Sequence, residues 1–217
     1  MNGLYFNTVS NNLLDVLQKL MRMKEFDVFR LVGGTALSLQ LGHRLSVDID
    51  LFTDELYGSI DFDLIDNLLK NSFPFVEMSY KGNDSFGKSY HIGNSEQESV
   101  KVDFYYTDSF IRPIIEIDSI RMATIEEIAA MKMEVIGSGG RKKDFWDVHE
   151  LLDYLSLEQM FALHAERYPY SHNKEGLINK IVDFWIAERV VDPVCLKGKY
   201  WELIKEDFNR IIQDVNI

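Results

Sequence analysis

The sequence predicts an α+β protein: a mixed β-sheet lobe with flanking helices, followed by a C-terminal helical lobe. Three observations carry that expectation. Apolar residues alternate with polar ones over 47–53 and 100–106, the period of half-buried strands. The pair Gly33-Gly34 interrupts an apolar run and opens a short helical stretch, as a tight strand-to-helix turn requires. From Thr124 onward the apolar spacing becomes helical and stays so.

Taken in order, Leu13, Leu14, Val16, Leu17, Leu20 and Met21 repeat at helical spacing and predict an amphipathic helix over 11–23. Residues 26–32 read as a strand, 35–42 as a short helix and 47–53 as a second strand. A helix over 61–71 leads to strands near 75–80, 87–92 and 100–106, with turns at Gly82-Asn83-Asp84 and Gly93-Asn94-Ser95. Residues 114–122, just after Pro113, read as a short edge strand. Helices are expected over 125–136, 143–155, 157–167, 174–187 and 199–213. The division falls near residue 120, giving lobes 1–120 and 121–217 in one compact unit.

Composition narrows the function classes. The 217 residues carry 46% hydrophobic and 27% charged side chains, ordinary globular values. A single cysteine, Cys195 between Val194 and Leu196, excludes an internal disulfide framework and reads as a small hydrophobe. Neither a signal-peptide pattern nor an apolar run of membrane-spanning length is present, so a cytoplasmic protein with no membrane partner is expected. The net charge of −12 means that any nucleic-acid contact must be local, because phosphate-binding proteins usually show a basic face.

The chemistry concentrates in a few places. A period of two sends Asp48 and Asp50 to one face of their strand, with about 6.6 Å of backbone between them. Two adjacent carboxylates are tolerated best around a divalent cation. Upstream, the Gly33-Gly34 amides at a helix N-terminus suit a phosphate. A phosphate cradle facing a metal-binding carboxylate pair is the apparatus of metal-assisted nucleotidyl transfer. Asp103, alternating with Val102 and Phe104, faces away from the core side of its strand. Paired beside the Asp48/Asp50 strand it completes a triad for two Mg²⁺ ions, as third ligand or as base; alone it is a solvated carboxylate.

Lys132 interrupts the apolar stripe of Ile125, Ile128, Ala129, Val135 and Ile136. Its amine either snorkels to water or enters the cleft to meet a triphosphate. After Gly137-Ser138-Gly139-Gly140, Asp144 either caps the next helix or, in line with Val148 and Leu151, faces the space between lobes. Arg141, Lys142 and Lys143 form the densest positive cluster, placed for phosphates or an RNA end, and Arg44 and Ser46 are further candidates for nucleotide contact. His43 reads equally as a ligand contact or as a packing residue. No P-loop run and no His/Cys pattern of zinc-ligand spacing occurs.

The run from Gly33 to Phe52, GGTALSLQLGHRLSVDIDLF, resembles the signature of the AbiEii/AbiGii toxin family of nucleotidyltransferases, within the DNA polymerase β-like superfamily. The segments 120–132 and 141–147 are similar to the family's second block, and the region around 192–197 and the final helix are similar to its short members. The resemblance implies a nucleotidyltransferase-like fold and transfer of a nucleoside monophosphate from an NTP to an acceptor hydroxyl. It implies Asp48 and Asp50 on the metals, and Gly33 and Gly34 shaping the phosphate loop. Lys132 and Asp144 would fill the C-terminal lysine and aspartate motifs, although Asp147 fits that helix as well. Gly34 stands where the wider superfamily has serine, leaving phosphate contacts to the backbone and Thr35. Mg²⁺ is the implied cofactor, with Mn²⁺ as its alternative. The implied partners are an NTP, an RNA acceptor such as a tRNA 3′ end, and a cognate antitoxin. Two alternatives stand beside this: an NTP-binding protein without turnover, and a transferase acting on protein.

Overall fold

The computed structural model describes residues 3–79 and 86–215, so the expected turn at Gly82-Asn83-Asp84 and the end of the strand expected to reach Tyr80 lie outside the described residues. Seven strands form one mixed sheet in the order β3-β4-β5-β2-β1-β7-β6. They are β1 (Arg30–Leu31), β2 (Asp48–Thr53), β3 (Phe75–Met78), β4 (Gly87–Gly93), β5 (Ser99–Tyr106), β6 (Ile115–Ile117) and β7 (Ile120–Met122). The α-helices are α1 (Asn11–Met21), α2 (Gly33–Leu41), α3 (Phe62–Ser72), α4 (Ile125–Gly137), α5 (Lys142–Leu151), α6 (Leu157–Arg167), α7 (Lys174–Lys180) and α8 (Trp201–Val215). The fold class is therefore the α+β arrangement that the alternation and the helical spacing predict.

Local chemistry explains where the elements begin. Ser10 caps α1 by accepting the Leu13 amide, Asp61 caps α3 at Leu64, and Thr124 caps α4 at Glu127. The apolar stripe of α1 lies against β2, β4 and β5, where Ile49, Leu51, Val102, Phe104 and Tyr90 are buried. Phe26, Phe29 and Phe104 interlock at ring spacings of 5.1 to 6.2 Å in this layer. The other side of β2 is left for α2 and the helical half.

Several expectations need correction. The strand expected over 26–32 is only Arg30–Leu31, because Lys24–Phe26 closes as a 3-10 turn. The single edge strand expected over 114–122 is a hairpin, and its second arm, β7, pairs parallel with β1 inside the sheet. Asp118 and Ser119 make that turn with φ of 52° and 61°, without the glycine or asparagine that usually announces it. The helix expected over 174–187 ends at Lys180, and the sequence resumes as a turn at Ala187–Arg189. The glycine pair lies inside α2 as its first two residues, not before it.

Candidate active site

Parallel pairing of β2 with β5 sets Asp50 opposite Asp103 and Asp48 opposite Lys101. Since Ile49, Leu51, Val102 and Phe104 fill the core, all three carboxylates share the other face. Burial first, then the charges of Asp103 and Asp48, push the Asp50 carboxyl up to about 6. Asp103 accepts a hydrogen bond from Lys101 Nζ through one oxygen, while its buried Oδ1 has no hydrogen-bond partner. Lys143 Nζ lies 3.5 Å from Asp48 Oδ2. A dication would relieve the crowding around Asp50 and give the orphaned oxygen a partner, so the residues present fit one. Among the described residues no three such groups converge on a ready-made cage.

The first turn of α2 faces these carboxylates without any capping side chain, leaving the amides of Gly33, Gly34 and Thr35 at its N-terminus. Glycine is required at both leading positions. Gly33 has φ of 66°, and a Cβ there would lie 2.7 Å from Asp50 Oδ2. A Cβ on Gly34 would lie 2.2 Å from Arg44 Nη2. The guanidinium thus fills the space that a side chain on residue 34 would take. Thr35 departs from expectation: its buried hydroxyl bonds to the Asp48 carbonyl and lies 2.8 Å from Ser46 Oγ. That side chain is spent on fixing the loop before β2, and only its backbone amide faces the cleft end of the helix.

Lys132 does not snorkel. Its amine is buried, 2.8 Å from Asp144 Oδ1 and 2.6 Å from Asp147 Oδ2. Burial alone would lower its pKa, but Asp147 and Asp144 outweigh it and hold the amine charged. The two aspartates divide the work. Asp144 borders the cleft and caps α5 from within its first turn, accepting the Arg141 amide at 3.0 Å. Arg141, not Asp144, is the residue at the cap position. Asp147 is fully buried, bound by Arg44 Nε at 2.6 Å, Arg44 Nη2 at 2.9 Å and His43 Nε2 at 2.8 Å. His43 is therefore a structural partner of Asp147.

Gly33, Gly34, Arg44, Ser46, Asp48, Asp50, Lys132, Arg141 and Asp144 line one cleft of about 180 Å³. Phe52, Met131 and Lys143 line it too, and sequence reasoning did not single out the first two. Their positions follow from how α4 lies over β2, which no local pattern reveals. Asp103 lies on the neighbouring strand, beside Asp50. Lys142 turns away to pair with Asp192 at 2.6 Å, so the basic cluster offers Arg141 and Lys143 to the cleft.

Carboxylates on a strand facing a helix N-terminus and a buried lysine define an enzyme that moves a nucleotidyl group. Residues 15–214 match the family described as nucleotidyl transferase AbiEii toxin, type IV toxin–antitoxin system, and the chain belongs to that family. It is 26% identical over 215 residues to a protein of Aquifex aeolicus, covering 92% of this chain and 94% of that one. The fold is similar to that of JHP933 from Helicobacter pylori, with a TM-score of 0.53 at 21% identity over 95% of this chain and 93% of the other. It is also similar to MenT4, a nucleotidyltransferase toxin from Mycobacterium tuberculosis, with a TM-score of 0.53 at 15% identity over 93% and 83% of the two chains. Among the described residues no helix is long and apolar enough to cross a membrane.

Proposed function

We propose that this nucleotidyltransferase moves a nucleoside monophosphate from an NTP to the terminal hydroxyl of an RNA, a tRNA 3′ end being the favoured acceptor. In this reading it is a toxin held in check by a cognate antitoxin. The observation that carries the reading is the register of Asp50 against Asp103, with Asp48 two residues away, opposite the uncapped N-terminus of α2. Asp48 and Asp50 would hold Mg²⁺ with the triphosphate, and Asp103 would be the third ligand or accept the proton of the attacking hydroxyl. Bound Mg²⁺ supplies charge neutralisation on the phosphates and lowers the cost of in-line displacement.

The chain's own groups do the rest. Amides of Gly33, Gly34 and Thr35 donate to phosphate oxygens at the positive end of α2. Arg44 keeps one face toward the cleft while Asp147 fixes its orientation. Lys132 acts as a fixed positive charge beside the leaving pyrophosphate, aligned by Asp144. The attacking oxygen bonds to the α-phosphorus as the bond to the β-phosphate oxygen breaks, and pyrophosphate leaves. Both lobes, 1–120 and 121–217, contribute residues to this site.

The test is labelled transfer from each α-³²P NTP, with Mg²⁺, to total RNA and total protein. Labelled RNA is expected from the natural protein and none from Asp48→Asn or Asp50→Asn. Labelled protein with unlabelled RNA would overturn the acceptor. Unchanged NTP consumption in both variants would overturn the metal assignment.

A further inference from the structure

Next to the catalytic cleft runs a second groove, of about 400 Å³, walled by Val47, Val191, Pro193 and Val194. It opens into the cleft across Arg141 and Lys143, which line both. Its valines are conspicuously open: Val47 is 69% exposed, Val191 86% and Val194 59%. Core packing does not account for them, and exposed apolar surface beside a polar site marks a place of binding. The groove is also held in shape. The Leu45 amide donates to the Val194 carbonyl at 2.9 Å, and the Leu196 amide to the His43 carbonyl at 2.8 Å. Lys142 holds Asp192 at 2.6 Å, and Lys199 reaches the buried Glu150 at 2.8 Å. The segment 190–198 is thereby clamped to the loop before β2 and to the first turn of α5, and Lys199 just beyond it to the last turn of that helix.

We propose that this groove seats the base adjoining the acceptor hydroxyl on a single-stranded RNA end. The proposal rests on the RNA-acceptor reading above. Continuity with the cleft and charge complementarity decide the occupant. A terminal hydroxyl at Asp48 and Asp50 places the first phosphodiester between Arg141 and Lys143, and the base behind it against the valines and Pro193. A nucleobase presents apolar faces and a polar rim, and its faces are free only in an unpaired strand. The valine and proline walls offer a base only apolar contact, while the groove's polar side chains are Arg44, Ser46, Arg141, Lys143 and Asp192.

Fluorescence polarisation of a labelled 12-nucleotide single-stranded RNA, beside calorimetry with NTP and Mg²⁺, tests this. Val191 and Val194 are exposed, so the double variant Val191→Asn/Val194→Asn keeps its fold. It is expected to bind the RNA about tenfold more weakly, with NTP affinity held and the salt dependence of RNA binding unchanged. Arg141→Ala/Lys143→Ala is expected instead to reduce the log–log salt slope by about 0.7 to 1.4, the share of one or two single-strand phosphates. The same RNA closed into a blunt hairpin is expected to bind more weakly than the open strand. Undiminished RNA binding by the valine variant overturns the proposal. A parallel loss of NTP affinity also overturns it, since the groove would then take the base of the incoming nucleotide. Failure of the acceptor reading shows separately, as natural protein that binds no RNA and labels only protein.

Discussion

At the residue scale, the site is a set of charges that restrain one another before any substrate arrives. Asp50 is the exposed weakness of that arrangement. Its carboxyl is raised, so the folded state binds a proton more tightly than the unfolded chain, and stability falls as pH climbs from the ordinary carboxyl value toward about 6. Above that the empty protein carries the full penalty, at most about 3 kcal/mol. Asp50→Asn is therefore expected to raise the thermal midpoint of the metal-free protein at pH 8, with the gain vanishing near pH 4. The same variant should no longer be stabilised by added Mg²⁺, which a thermal titration with and without the ion measures. Lys132 behaves in the opposite way. Its place in an apolar stripe suggests that methionine would be harmless, yet the amine neutralises two buried carboxylates, Asp144 and Asp147. Removing one partner of a buried ion pair costs about 3–5 kcal/mol. Urea unfolding of Lys132→Met should show a loss of that order, and an unchanged midpoint would mean that Arg44 and His43 suffice alone.

At the scale of elements, what was legible in the sequence is what is written in short-range periodicity. The Asp48/Asp50 face needed only alternate residues, and α4 and α6 needed only apolar spacing. The register that brings Asp103 to Asp50 joins residues 53 positions apart and leaves no local mark. The hairpin of β6 and β7 was read as one strand because Asp118 and Ser119 supply its turn without the usual residues. The clamp between α6 and the loop after β5 was equally invisible. Arg167 donates to Glu127 Oε1 at 2.5 Å, to the Ser109 carbonyl at 3.0 Å and to Thr107 Oγ1 at 2.8 Å. Glu127 Oε2 in turn accepts the amides of Ile111 and Arg112, each at 2.8 Å. Both side chains are wholly buried, so α4, α6 and residues 107–112 are fastened by one charged node. Arg167→Met leaves the buried Glu127 without its cation. It is expected to destabilise the protein by about 3–5 kcal/mol in denaturant melts. The residual activity per folded molecule should be nearly natural, because the node lies outside the catalytic cleft.

Across the whole molecule, Asp147 joins what the chain keeps apart. It binds the His43–Arg44 loop, which leads into the aspartate strand, and Lys132 of α4, while itself belonging to α5. The loop between α2 and the carboxylate strand thus meets the helical half on one buried charge. Burial pushes the Asp147 carboxyl up, but Arg44 and Lys132, aided by the His43 hydrogen bond, outweigh it and hold it well below the usual range. The sign of the pH effect follows. With a depressed native value, the stability from this group is fully present above the ordinary carboxyl value of 3.8. It is lost as pH falls from there through the native value, while the unfolded chain takes up a proton that the native state refuses. Acid should therefore loosen the joint between the sheet and the helical half. Thermal midpoints taken between about pH 2.5 and pH 7 are expected to drop steeply in the acid limb of the natural protein. Asp147→Asn starts less stable at neutral pH, because Arg44 and Lys132 lose their shared anion, and it should show a visibly flatter acid limb. An acid limb equally steep in both proteins would assign the acid sensitivity to other carboxylates, with Asp144, also held low by Lys132, as the next to replace.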